Sequence, residues 1–264
     1  MSTTQAIALL TDFGIKDGYG GIMKGAIASI NPHLTVIDIT HEIPPQNIAA
    51  ARFCLMNAYP YFPPGTVYVA VVDPGVGSQR RGVAIQFDRG YLVGPDNGLF
   101  SGVLSLSEPM AAVMLTNPDY WRVSDPSSTF HGRDIFAPVG AHLASGVPLE
   151  KLGLLIDPNS LVKLPLDSLN ITDNQIIGSI QYIDHFGNLI TNISGNLLKQ
   201  KDWTVMVNHQ TIKKGLTYSN VELGELITLI GSHGWVEIAV NGGNAQKKLQ
   251  VDWGEQVSLH SRVV

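Results

Sequence analysis

The fold class this chain predicts is α/β with a smaller all-β part behind it, and three observations carry that prediction. The first half alternates short apolar strand-like runs with helix-length segments, the pattern of a layered domain around a largely parallel sheet. The run Val67–Val72 is continuously apolar and rich in β-branched residues, as suits a strand buried on both faces. Beyond residue 172 helical periodicity gives way to closely spaced short strands, which predicts a small barrel or sandwich.

Each element follows in order. Ala6–Leu10 reads as a strand running into Thr11-Asp12-Phe13-Gly14. Tyr19–Ile30 reads as a helix stopped by Asn31-Pro32, because proline cannot continue a helix. Val36–Ile39 is a second strand, Ile48–Ala58 a second helix, and Val67–Val72 a third strand that ends abruptly in Asp73-Pro74-Gly75. Gly82–Gln86 and Tyr91–Val93 form a hairpin around Asp88-Arg89-Gly90. Ala112–Leu115 is a further strand, and Asp134–Ala144 a helix that ends before Gly146. With Pro158 and Pro165 and little periodicity, 157–172 reads as a linker between a domain at 1–156 and a second at 173–264. Six strands are expected in the second: Ile176–Ile183, Leu189–Ile193, Thr204–Val207, Leu226–Ile230, Val236–Val240 and Gln256–Leu259.

Composition narrows the function classes. The 264 residues are 44% apolar and 15% charged, which argues against disorder. A net charge of -5 with no basic run offers no footprint for nucleic acid. The one cysteine, Cys54, cannot form an internal disulfide and reads as core packing in a reducing compartment. The opening MSTTQAIALLTDFG lacks the basic and apolar regions of a signal peptide, and no run reaches the ~18 apolar residues of a membrane span, so a cytoplasmic protein without membrane partners is expected.

Polar residues gather just past strand ends: Asp12 after the first, His41-Glu42 after the second, Asp73 after the third. Ligands of open α/β sheets bind at the carboxyl ends of the strands, although an acidic residue there also caps turns and helices. In VVDPGVGSQRR, Pro74, Gly75 and Gly77 shape a tight turn that returns Arg80 toward Asp73, where the guanidinium keeps the carboxyl ionised; an ordinary loop salt bridge is the bland alternative. In SSTFHGRDIFAPVG, His131 precedes a helix and is free to face a substrate, whereas Asp134 in the first helical turn suits a structural role. GPDNGLF puts Asp96 and Asn97 in a turn. YIDHFGNLITNI sets Asp184, Phe186 and Asn188 between two strands, a combination able to accept from sugar hydroxyls and stack on a base. No G-x-G-x-x-G follows the first strand, and Walker A, G-x-S-x-G, C-x-x-C and H-E-x-x-H patterns are absent; His41-Glu42 alone is a weak metal signal.

Seven segments together, LLTDFGIKDGYGG, HEIPPQNIAAA, VVDPGVGSQRR, GPDNGLF, TFHGRDIFAPV, DHFGNLITNI and SHGWVEIAVNGGNA, resemble the adenosine-forming S-adenosylmethionine hydrolases, also called S-adenosylmethionine hydroxide adenosyltransferases, relatives of fluorinase and chlorinase. The segments run from residue 9 to residue 245, and the combination of VDPGVG, TFHGRD and FGNLITN is specific. The full reading is an N-terminal Rossmann-like three-layer α/β domain with a largely parallel sheet, plus a smaller C-terminal all-β barrel domain. The resemblance implies a catalytic set at Asp73, Arg80 and His131. It implies substrate contacts at Asp12, at Asp17, Gly18 and Tyr19, at Asp184, Phe186 and Asn188, and at Ser232, Glu237 and Val240. It implies neither metal nor cofactor, S-adenosyl-L-methionine as a small-molecule substrate, and a homotrimer with active sites between subunits. The halogenase relatives carry a halide-cupping turn where this chain has Asp73-Pro74-Gly75-Val76-Gly77, and a Trp where it has Gln46. The expected reaction is water attack at ribose C5′, giving adenosine and methionine. Three alternatives stay open: a halogenase-like enzyme on the same substrate, a non-catalytic nucleoside-binding protein, and a metal-dependent hydrolase built on His41, Asp12 and Asp73.

Overall fold

The structure is a computed structural model that describes residues 6–164, 168–198 and 202–262. The chain divides into two compact units, Met1–Leu164 and Pro165–Val264.

In the first unit the order is β1 (Ala6–Thr11), α1 (Tyr19–Ile30), β2 (Thr35–Thr40), α2 (Ile48–Ala58), β3 (Thr66–Val71), β4 (Gly82–Phe87), β5 (Gly90–Pro95), α3 (Ser101–Leu104), β6 (Ala111–Leu115), α4 (Ala137–Ala144) and β7 (Gly153–Ile156). The strands make one sheet in the order β2-β1-β3-β5-β4-β6-β7. The neighbours β2, β1, β3 and β5 pair in parallel, while β5–β4, β4–β6 and β6–β7 are antiparallel. Only β4 and β7 therefore run against the rest, so the sheet is mostly parallel in direction.

Burial explains the central strands. Every residue of β1 and β3 is buried, so neither shows polar alternation, whereas the edge strand β2 carries Thr35, Ile37 and Asp38 exposed. Helix α1 turns Met23, Ala26 and Ile27 onto Ile7, Leu9, Val67 and Val69, in a core shared with Val139 and Leu143 of α4. On the opposite face of β3, Tyr68 donates its hydroxyl to the carbonyl of Tyr59, the residue that ends α2, at 2.9 Å. Helix α2 itself starts at Asn47, whose side chain accepts from Ala50 N at 2.8 Å. Because β1 has β2 on one side and β3 on the other, the chain reverses its direction of winding there. Such a switch point opens a crevice at the carboxyl ends of the two strands.

One expected helix differs at its start. Gly132–Phe136 forms a π-helical turn, and the α-helix proper begins at Ala137. Pro138 has no N–H to give back to the preceding turn, and the Asp134 carbonyl accepts instead from Arg122 N at 2.9 Å.

The first part of the expected linker is hydrogen-bonded to the first unit. Arg81 donates to the Ser160 carbonyl at 2.6 Å, Val162 N donates to Asp96 at 2.8 Å, and Leu164 N donates to Ser101 at 2.7 Å, which fastens 157–164 to the first unit. Residues 165–167 lie outside the described residues, and Asn170–Ile171 already forms strand β8.

The second unit continues with β9 (Gln175–Ile183), β10 (Leu189–Ser194), β11 (Asp202–Val207), β12 (Gln210–Lys213), β13 (Leu226–Ile230), β14 (Trp235–Val240), α5 (Ala245–Leu249) and β15 (Gln256–Arg262). The strands pair antiparallel in the order β12-β11-β15-β9-β10-β14-β13, with β8 beside β9. The outer strands β12 and β13 meet where Gly215 N donates to the Thr228 carbonyl at 2.7 Å, so the sheet is a nearly closed barrel. Its interior holds Ile180, Leu189, Val205, Ile238, Leu249 and Val257. β8, β12 and α5 are too short to have announced themselves in the sequence pattern.

Candidate functional site

One candidate site lies at the switch point. A cleft of about 260 Å³ is lined by Asp12 and Phe13 after β1, Gln46 before α2, Val71, Asp73, Pro74 and Val76 at the end of β3, and Thr129–Gly132 before α4. Its loops are braced. Asn97 donates to the Val72 carbonyl at 2.8 Å and so holds the end of β3. Gly77 takes φ +77°, and a Cβ there would stand 2.5 Å from the Ser128 carbonyl oxygen, so the β3 loop and the loop before His131 touch backbone to backbone.

Asp73, Arg80 and His131 come together. Arg80 Nε donates to Asp73 Oδ1 at 2.9 Å and Oδ2 at 3.0 Å, and its Nη2 also bonds Asp73 Oδ2. The same Nη2 lies 2.7 Å from His131 Nδ1. The guanidinium rests over the Phe136 ring at 5.2 Å. An arginine only donates, so His131 Nδ1 accepts and the proton of the neutral ring sits on Nε2. Burial, then the neighbouring Arg80 charge, push the His131 pKa below its ordinary value, against the pull of Asp73 and Asp134. Asp134 is a structural anchor: fully buried, it takes bonds from Arg122, Arg133 and Ser127 N, and the Arg133 contact leads in holding its carboxyl well below the usual range.

Asp12 faces the same cleft and accepts from Gln46 N at 2.8 Å. Gln46 sits at φ +63° to make that contact, an uncommon conformation for a residue with a side chain. Asp17 and Gly18 are exposed in the loop before α1, with Gly18 at its N-cap. Tyr19 joins Phe13 and Phe130 in edge-on contacts, with centroids 5.3 to 6.0 Å apart.

A second candidate site lies on the barrel. An open cavity of about 620 Å³ is lined by Phe186, Asn188, Tyr218, Val240 and the run Asn241–Asn244. Asp184 accepts from Asn188 N at 2.8 Å and from its side-chain amide at 2.9 Å, closing a turn in which Phe186 is left 70% exposed. Ser232 is exposed on the turn before β14 and does not line this cavity. Glu237 is buried beneath it, accepting from the Tyr218 hydroxyl at 2.8 Å and lying 3.2 Å from His233 Nε2. Burial and the Glu237 bond push the Tyr218 hydroxyl up to about 12. Phe13, Thr129, Phe130 and Tyr218 were missed by sequence reasoning. TDFG and TFHG held a usable signal for the first three, and Tyr218 had none.

Of the His41-Glu42 pair, His41 is buried against Thr11 and Glu42 is exposed, and among the described residues no group of three or more His, Cys, Asp or Glu side chains is placed to hold an ion. Cys54 is partly buried, and burial raises its thiol to about 11, which fits packing.

A layered α/β unit with a hydrogen-bonded Asp–Arg–His set at its switch point, followed in sequence by a small barrel bearing an aromatic-lined cavity, defines a two-unit α/β-plus-barrel protein with a candidate ligand pocket on each unit. The chain belongs to the SAM hydroxide adenosyltransferase family: residues 7–153 match its N-terminal domain and residues 178–258 its C-terminal domain. It is 41% identical over 260 residues to a Salinispora tropica protein named (R)-S-adenosyl-L-methionine hydrolase, covering 98% of this chain and 99% of that one. A fluorinase of Nocardia brasiliensis is 26% identical, with 92% and 94% covered. The solved structure of an uncharacterized conserved protein from Thermotoga maritima matches with a TM-score of 0.90 at 37% identity, over 96% of this chain and 99% of that one.

Proposed function

We propose that this protein is an enzyme that hydrolyses S-adenosyl-L-methionine to adenosine and L-methionine by attack of water at ribose C5′. The observation that carries the reading is the joined Asp73–Arg80–His131 set, facing a cleft whose other wall holds Asp12. The leaving sulfonium becomes a neutral thioether and needs no acid, so the enzyme's task is to hold and activate the nucleophile. His131 Nε2–H orients the water oxygen, Arg80 fixes both partners, and Asp73 receives the proton as the C–O bond forms and the C–S pair leaves with sulfur. Asp12 meets the ribose, and Asp17, Gly18 and Tyr19 flank the substrate. On the barrel, Phe186, Asn188 and Val240 receive the adenine, and Asp184 and Ser232 meet the amino-acid end. Glu237 is assigned a supporting place under Tyr218, since both its oxygens face protein groups.

The same reading makes the first unit a Rossmann-like three-layer domain and the protein a cytoplasmic homotrimer with active sites shared between subunits, working without metal or cofactor. The test is incubation with S-adenosylmethionine in ¹⁸O-water containing chelator. Full turnover is expected, with the label in the 5′-hydroxyl of adenosine. Formation of 5′-methylthioadenosine or S-adenosylhomocysteine, activity that needs halide, or activity lost to the chelator would overturn it.

A further inference from the structure

His41 belongs to the motif HEIPPQN, yet the proposed chemistry leaves it unused, and it is buried directly behind the cleft. Its Nδ1 lies 2.8 Å from Thr11 Oγ1, and its Nε2 faces Asp38 Oδ1 at 3.1 Å, off the line of a straight hydrogen bond. Thr11 Oγ1 in turn accepts from Phe13 N at 3.2 Å, and the His41 carbonyl accepts from Gly14 N at 2.7 Å. Asp38 also pairs with Lys24 at the surface, at 2.5 Å. With Nδ1 as acceptor the ring fits this chain of contacts, while Nε2 keeps only the bent contact with Asp38. Phe13 N–H donates to the Thr11 hydroxyl, the hydroxyl donates to Nδ1, and the Nε2 proton faces an ionised carboxylate.

The residues on either side of this chain are those of the cleft. Asp12 lies between Thr11 and Phe13, the two ends of the Thr11–Phe13 bond. Gly20, next to Tyr19, packs on the imidazole so closely that a Cβ there would sit 2.9 Å from Nε2. One ring therefore ties the loop after β1, the loop after β2 and the start of α1 at one point.

We propose that His41, acting through the Thr11 hydroxyl, is a positioning residue that sets the Asp12–Phe13 turn for substrate binding, with Asp38 orienting the ring. The inference rests on the hydrolase reading for its kinetic readout, and on the backbone amide of Phe13 for a readout independent of it. A substrate anchor that is displaced weakens binding before it weakens turnover.

The experiment compares Thr11→Val, which keeps the shape and removes the hydroxyl, with Thr11→Ser, which keeps the hydroxyl. In Thr11→Val, KM for S-adenosylmethionine is expected to rise about tenfold with kcat within about threefold, and Thr11→Ser is expected to return KM to within about twofold of wild type. Amide exchange measured at Phe13 should quicken about tenfold in the Val variant and not in the Ser variant. An unchanged KM in Thr11→Val, or equal losses in both variants, overturns the positioning role. If wild-type protein does not hydrolyse S-adenosylmethionine, the hydrolase reading falls by itself. The hydrogen-bonded link is then decided by the exchange data, and equal Phe13 protection in the two variants overturns it.

Discussion

Replacing Arg80 by lysine probes the joined set without removing its charge. The side chains of Arg80 and Asp73 are 12% and 6% exposed, so this is a desolvated pair. Arg80 spends Nε and Nη2 on the carboxylate and shares Nη2 with His131 Nδ1. A lysine brings one nitrogen, which can keep a single contact with Asp73 and cannot also reach the imidazole. The positive charge stays, so the larger cost of an unpaired buried carboxylate, ~3–5 kcal/mol, is not incurred. Two charge-assisted bonds are lost at ~1.5–3 kcal/mol each, partly offset by water entering the space. About 3–4 kcal/mol less stabilisation of the oriented water corresponds to a turnover roughly 10²–10³ lower. Because Arg80 lies behind the cleft rather than along it, substrate affinity is expected within about threefold of wild type. Chromatographic measurement of adenosine formation gives kcat, titration calorimetry gives affinity, and a thermal melt verifies folding. A folded Arg80→Lys protein with turnover within about threefold of wild type would refute the role assigned to the fork.

Gly77→Ala is expected to lower both stability, by about 1–2 kcal/mol or more, and turnover, because neither the φ of +77° nor the Ser128 backbone 2.5 Å away can yield cheaply; melting temperature and kcat report it. The lowered His131 pKa makes the neutral ring the working form, so kcat/KM should stay flat as pH falls past the ordinary histidine value of 6.5 and drop only below it. The linkage has the matching sign: the unfolded chain takes up this proton first, so the His131 contribution to stability is complete above the unfolded value and declines as pH falls from there toward the folded one. An acid limb at or above the ordinary value would contradict this. Mixing inactive His131→Ala and Asp184→Ala proteins after brief dissociation should restore part of the activity if sites are shared between subunits; hetero-oligomers without activity would defeat the shared-site proposal.

Local chemistry was legible in the sequence, and long-range pairing was not. Asp73 and Arg80, seven positions apart, are joined through a loop whose Pro and Gly residues dictate the return, so their ion pair could be read directly from residue types. His131 is 51 positions from Arg80, and only resemblance to a family brought the two together. Helix α1 stops where Asn31-Pro32 ends it and α2 starts at the Asn47 cap, but the start of α4 differs from the expected one because the effect of Pro138 depends on Arg122, a residue of another turn. Glu237 lay in a substrate-like motif, yet its neighbours are Tyr218 and His233, one of them in a loop with no pattern of its own. The barrel was legible as strands, whereas its closure rests on the Lys214–Thr228 bridge and the bond from Thr228 Oγ1 to the Lys213 carbonyl, which no periodicity encodes.

The anchoring of 157–164 bears on how the protein can be dissected. Asp96 is a bracket: one oxygen holds Arg81 and the other holds Val162 N, while Arg81 reaches on to Ser160. A fragment ending at residue 156, where the last strand of the sheet stops, would carry Asp96 with one oxygen stripped of its donor and Ser101 without the Leu164 amide. Eight further residues restore every one of these bonds. The natural cut for producing the α/β unit alone is thus set by a side chain in a turn far upstream, not by the end of the sheet.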